Sequence, residues 1–213
     1  MAAARKPNKL QAMVLGLLGL DHVWQAEGSG VAESSAGQMV STHGVLTLSA
    51  AWGCTRLIAE TIATLPLSLY EKTPAGPQKA GAHPLQLAIS SRPNADATAA
   101  VFWEAVVASM LLRGRAPIEK LMIGERIIGL QFLNPDRLTK SRMPDGSAGQ
   151  MYNDPDKGRR LIPKSRLWTI PGFSLDGKNG VSVIQYGANV FGSAQAASAA
   201  ADGTFVRGLM PTT

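Results

Sequence analysis

The sequence predicts an α+β fold, with helices packed on an antiparallel β meander. Three observations carry this reading. Apolar residues recur at helical spacing over 48–65 and again over 99–112. From Ala116 onward the period changes to short extended runs, bounded by turn signals such as Gly124-Glu125, Asn134-Pro135-Asp136 and Pro144-Asp145-Gly146. A long Ala- and Gly-rich helical stretch then closes the chain. Helices gathered ahead of the strands, rather than alternating with them, argue against a parallel α/β sheet.

The 213 residues suffice for one sizeable core. Only 17% are charged where about a quarter is usual, so part of the surface is expected to lie against other subunits. The balance is basic, +6 with a pI near 9.7, which favours a polyanionic partner. No dense Lys/Arg run and no interleaving of basic with aromatic residues sharpens that inference.

Residues 1–44 read as a flexible N-terminal appendage and 45–213 as the folded domain. Arg5, Lys6 and Lys9 precede an apolar run, Met13–Leu20, that is too short to span a bilayer. A short helix docking on a neighbour is the expectation there. Gly28 to Gly44 is rich in Gly and Ser and is expected to be flexible.

The domain is organised around Ser49–Lys72. Leu48, Ala51, Trp52, Thr55, Ile58, Ile62 and Leu65 fall on one helical face, which is expected to be buried. On that reading an Ile58→Asp change should disrupt folding. Pro66 ends the helix, and Leu67–Tyr70 alternates as a strand does. Thr73–Pro77 turns, His83-Pro84 opens a short helix over 85–90, and Arg92-Pro93-Asn94 ends it. Thr98 is expected to cap a helix over 99–112 that buries Val101, Phe102, Ala105, Val106, Ser109 and Met110. Gly114 stops that helix in the left-handed conformation. Strands follow over 117–123, 126–133, 137–142, 150–152, 159–162 and 167–170. Ser182 caps the last helix, from about Val183 to Asp202. Its Gly187, Ala188, Gly192, Ala196, Ala199 and Ala200 would let another backbone approach closely.

No catalytic constellation emerges. Cys54 is the single cysteine, which implies a reducing compartment, and it reads as a small core thiol. A small hydrolase would need Cys54 or Ser174 beside His22, His43 or His83. Gly172-Phe173-Ser174 lacks the following glycine of a nucleophile elbow, because Asp176 stands there. The glycines of Pro171–Val181 do not have phosphate-loop spacing either. Three scattered histidines and one cysteine give no metal-ligand set. No cofactor is expected. A sequence-independent DNA-binding module is a further alternative. It would gather Lys120, Arg126, Arg137, Lys140, Arg142, Arg159, Arg160 and Lys164 on one basic face.

Five landmarks stand in a fixed order: AAWGCTRLIAETIATLPLSLYEK, HPLQLAISSRPN, LLRGRAPIEK, IIGLQFLNPDRL and LWTIPGFSLDGKNGVSVIQYG. This order resembles the portal proteins of HK97-type tailed phages, over about residues 45–213. The resemblance implies a non-enzymatic subunit of a ring, usually of twelve copies, at one vertex of the phage head. Double-stranded DNA would enter and leave through the ring's channel. Implied partners are other copies of the chain, the large terminase subunit, the major capsid protein and head–tail connector proteins. No membrane is involved, and the implied location is the virion, with the host cytoplasm during assembly. Two departures accompany the resemblance. Arg115-Ala116-Pro117 stands where the family commonly has Asn-Ala-Tyr. The chain also stops at Thr213, so the resemblance implies the wing-like N-terminal part of a portal, in a truncated or prophage-remnant form.

Overall fold

A computed structural model describes residues 31–35 and 37–208. The expected short helix over Met13–Leu20 lies outside the described residues, as does His22. The described chain opens with a hairpin, β1 (Val31–Glu33) and β2 (Met39–Ser41), followed by α1 (Thr42–Leu46) and α2 (Ser49–Ala63). A second hairpin, β3 (Tyr70–Thr73) and β4 (Gly76–Lys79), leads to α3 (Pro84–Ser90) and α4 (Ala99–Arg113). Six strands follow: β5 (Arg115–Ile123), β6 (Arg126–Phe132), β7 (Leu138–Arg142), β8 (Ala148–Asp154), β9 (Gly158–Pro163) and β10 (Leu167–Pro171). The described chain ends in α5 (Val183–Tyr186) and α6 (Ala188–Arg207). This is the α+β class read from the sequence.

The strands do not form one continuous meander. They split into two three-stranded antiparallel sheets, ordered β10-β5-β6 and β7-β8-β9. β10 returns to pair with β5, setting Trp168 opposite Ile118 and Pro171 opposite Arg115. α3 and α4 cover the first sheet, and Ala88, Phe102, Val106, Ala116, Ile118 and Leu130 make its core. The second sheet packs Tyr152 and Ile162 against Leu133. Gly124 takes φ +59° at the β5–β6 turn, as a tight hairpin opening on glycine requires.

The hairpin and α1 correct the expected flexibility of Gly28–Gly44. Val40 and Val45 are fully buried with Leu112 and Ile184, so the folded region begins at least as early as Val31. Composition misled because two apolar side chains anchor a stretch otherwise made of Gly, Ser and polar residues. The hairpin lies against α6 at Gly192, where an added Cβ would come within 2.4 Å of the Ser34 side chain. The small-residue face of α6 is thus used inside the chain, at least over its first half.

Three other expectations need adjusting. Thr98 precedes α4 with extended backbone but makes no side-chain capping bond. The strand expected after α2 lies at Tyr70–Thr73 rather than Leu67–Tyr70. The Gln86 side chain holds the preceding backbone instead, accepting from the Leu69 amide (2.5 Å) and donating to the Leu67 carbonyl (3.1 Å). The last helix is broken at Gly187, where an added Cβ would meet the Phe191 ring at 2.9 Å.

Candidate functional surface: an apolar trough beside a glycine junction

The largest correction concerns α2. Its predicted buried face is open: Ile58, Ile62 and Leu65 are 42%, 45% and 57% exposed, while Ala59 is 1% exposed. Helix α2 therefore meets α4 through its small residues and turns its large ones outward. Those large side chains line a trough in two connected parts. One part, about 710 Å³, lies between α2, the end of α4 and the α5–α6 wall, and includes Leu48, Cys54, Ile58, Val190 and Phe191. The other, about 390 Å³, continues past Ile62 and Leu65 to Trp103 and Phe173. Ile58, Leu111 and Val183 belong to both parts, and no Asp, Glu, Lys or Arg lines either.

Beside the trough, three glycines bring separate segments into backbone contact. The Gly172 N–H donates to the Gly114 carbonyl at 2.8 Å. A Cβ at Gly180 would lie 1.7 Å from that same oxygen. Gly114 adopts φ +72°, the left-handed stop expected for α4. Next to this junction, the buried Ser182 hydroxyl donates to the Leu112 carbonyl at 2.5 Å and accepts from the Gln185 amide at 3.3 Å. The helix cap expected at Ser182 also ties α5 to the end of α4.

The loop between Gly172 and Gly180 is organised by Asp176. Its carboxylate accepts from the amides of Asn179 (2.7 Å) and Lys178 (2.8 Å), the Asn179 side-chain amide (2.9 Å) and the Ser174 hydroxyl (3.0 Å). These bonds, led by the two amides, hold its pKa far below the usual carboxylate range. Ser174 is thereby engaged by a carboxylate, not by a histidine. His83 accepts from the Leu85 amide at 3.1 Å and caps α3. Cys54 is exposed on the trough wall, not buried in the core. Among the described residues, no group of three or more His, Cys, Asp and Glu side chains could hold a metal ion. No helix among them is long and apolar enough to cross a membrane.

The eight basic residues do not form one face. Lys120 and Arg126 belong to the first sheet, and Lys140, Arg142, Arg159 and Arg160 to the second. Within the second sheet, Tyr152 pairs with both Leu138 and Arg160, which places Arg160 on the side of Lys140 and Arg142. Arg159 alternates to the opposite side. Arg160 is also ion-paired to Glu119 (2.5 Å) and Asp154 (3.3 Å).

The other sequence landmarks have structural roles. Asn94 donates to the Leu130 carbonyl at 2.9 Å, and the Leu130 amide donates to the Pro93 carbonyl at 2.7 Å, closing the free edge of β6. Arg113 pairs with Asp136 at 2.7 Å, tying the end of α4 to the Asn134-Pro135-Asp136 turn.

The family model described as "Phage portal protein" matches residues 49–213. The chain belongs to the phage portal protein family. A probable portal protein of Streptomyces phage phiC31 is 32% identical over 190 residues, covering 84% of this chain and 41% of that protein. Protein BeeE of Escherichia coli K12 is 28% identical over 126 residues, covering 57% of this chain and 80% of BeeE. The chain thus spans well under half the length of its phiC31 relative. Similar folds also appear among solved structures. A chain from the neck of an empty GTA particle, computed with C6 symmetry, superposes with a TM-score of 0.63 at 24% identity. That match covers 80% of this chain and 48% of the other. A chain from the neck of a native GTA particle computed with C12 symmetry gives 0.56 at 22% identity, covering 87% and 49%.

The sequence pointed to the portal family through its landmarks but missed the trough and the glycine junction. Gly114, Gly172 and Gly180 were visible as turn formers. Their mutual contact spans more than fifty residues of chain and has no local signature.

Proposed function

We propose that these residues form the wing-like part of a portal subunit, assembled with copies of itself around double-stranded DNA at one vertex of a phage-type head. The observation that carries this reading is the family match over 49–213, which runs through every landmark that the fold uses. Similar particle necks computed with C6 and with C12 symmetry are both compatible with a ring of twelve. The role is structural, and the large terminase subunit, the major capsid protein and connector proteins are its proposed partners. Residues 45–213 are the wing-like domain, to which the hairpin and α1 from Val31 onward contribute.

The test is to epitope-tag the chain in the host that encodes it and to collect nuclease-resistant particles. Gold-labelled antibody should mark a single vertex per particle. Label spread over all vertices, or particles without the tag, would refute the portal role.

A further inference from the structure

We propose that the apolar run Leu10–Leu20 of this same chain occupies the trough between α2, α4 and α5–α6. Three observations converge on this occupant. The trough lining carries no charged side chain, and neither does Leu10–Leu20, which contributes Leu10, Met13, Val14, Leu15, Leu17, Leu18 and Leu20. Charges fall at both edges of the run, with Lys9 before it and Asp21 after it, so an uncharged segment is bounded on each side. The described chain begins in β1, which packs against α5 and α6, the helices that form one wall of the trough.

Reach does not prevent the docking. Asp21–Gly30 can span roughly 33 Å when extended, at about 3.3 Å per residue. The gain is burial of apolar surface on both partners, at about 25 cal/mol per Å² removed from water. The tether makes the encounter intramolecular, so it does not depend on protein concentration. This inference stands apart from the ring proposal, since it concerns one copy of the chain.

The single natural cysteine provides the probe, because Cys54 lies on the trough wall. Two full-length variants, Leu17→Cys and Ala3→Cys, are oxidised with diamide at low protein concentration. Disulfides are then mapped by peptide mass and non-reducing electrophoresis. Loop-closure statistics alone would separate the two crosslinks by less than about twofold. Docking predicts that the Leu17→Cys variant forms its intrachain disulfide to Cys54 at least about tenfold faster than the Ala3→Cys control. Equal rates would overturn the proposal. A Leu17→Cys product that is mainly a crosslinked dimer would also overturn it, assigning the trough to a second copy. A separate readout needs no new cysteine. The double change Leu15→Asp with Leu18→Asp should speed alkylation of Cys54 by about tenfold while leaving the melting transition cooperative. An unchanged alkylation rate counts against the docked segment.

Discussion

Helices α2 and α4 are of equal length and lie side by side, yet they solve opposite problems. Helix α4 buries Phe102, Val106, Val107, Ser109 and Leu112, and its core cluster joins it to the first sheet. Helix α2 carries the plainer amphipathic pattern, but only Ala59 is fully buried. A sequence records where apolar side chains recur, not what covers them. In α4 the cover is the chain's own sheet. In α2 the small residues face inward and the large ones form the wall of an open trough. An amphipathic stripe is therefore as much the mark of a docking surface as of a core.

The comparison can be broken most directly on the α4 side. Phe102→Ala should lower stability by about 3–5 kcal/mol, because it removes a buried ring from the centre of the main core. Urea unfolding followed by tryptophan fluorescence measures it, and a loss below about 1 kcal/mol would show that α4 is not the central helix. Gly180→Ala comes next, at about 3 kcal/mol, since its Cβ would collide with the Gly114 carbonyl. The same titration checks it, with Gly53→Ala as control, because that position has open space around it. Ser182→Ala should cost about 1–2 kcal/mol, through loss of a cap and an unpaired Leu112 carbonyl. Ile58→Asp should leave a folded chain, at a cost of about 1 kcal/mol or less to the folded body, because Ile58 lies outside the core and the new carboxylate reaches water once the proposed Leu10–Leu20 run is displaced from the trough. This replaces the expectation from the sequence that a charge at Ile58 disrupts folding. Unfolding of that variant at room temperature would put α2 back into the core.

The smallest effect concerns pH. The Asp176 pKa is depressed in the folded chain, chiefly by the amides of Asn179 and Lys178. Its contribution is thus fully present above the unfolded value of roughly 3.9 and is lost as pH falls towards the folded pKa. Carbon-13 shifts of the Asp176 carboxyl should stay those of a carboxylate from pH 7 down to about pH 3. A midpoint near the unfolded value would mean that the Gly172–Gly180 loop is not held as described.

Features set by local chemistry were legible in the sequence. Gly114 ending α4, Ser182 capping α5 and Gly124 opening a hairpin all depend on a few neighbouring residues, and each appears in the structure. Features set by distant contacts were not. The division into two sheets follows from β10 pairing with β5, a register that no turn signal announces. Residues 31–46 are structured because Val40 and Val45 reach Leu112 and Ile184, which lie far along the chain. The candidate surface was half legible. Its apolar side chains on α2 were identified in advance, but their exposure was not.

The break at Gly187 has a mechanical consequence. Because α6 does not continue α5, its direction is fixed by side contacts near its beginning, chiefly Gly192 against Ser34 and Gln195 beside Gly44. Beyond Ala196 nearly every described residue is exposed, so the distal half behaves as a lever clamped at one end. A substitution of Gly192 would change the angle at which that lever leaves the body, moving its tip far more than its base.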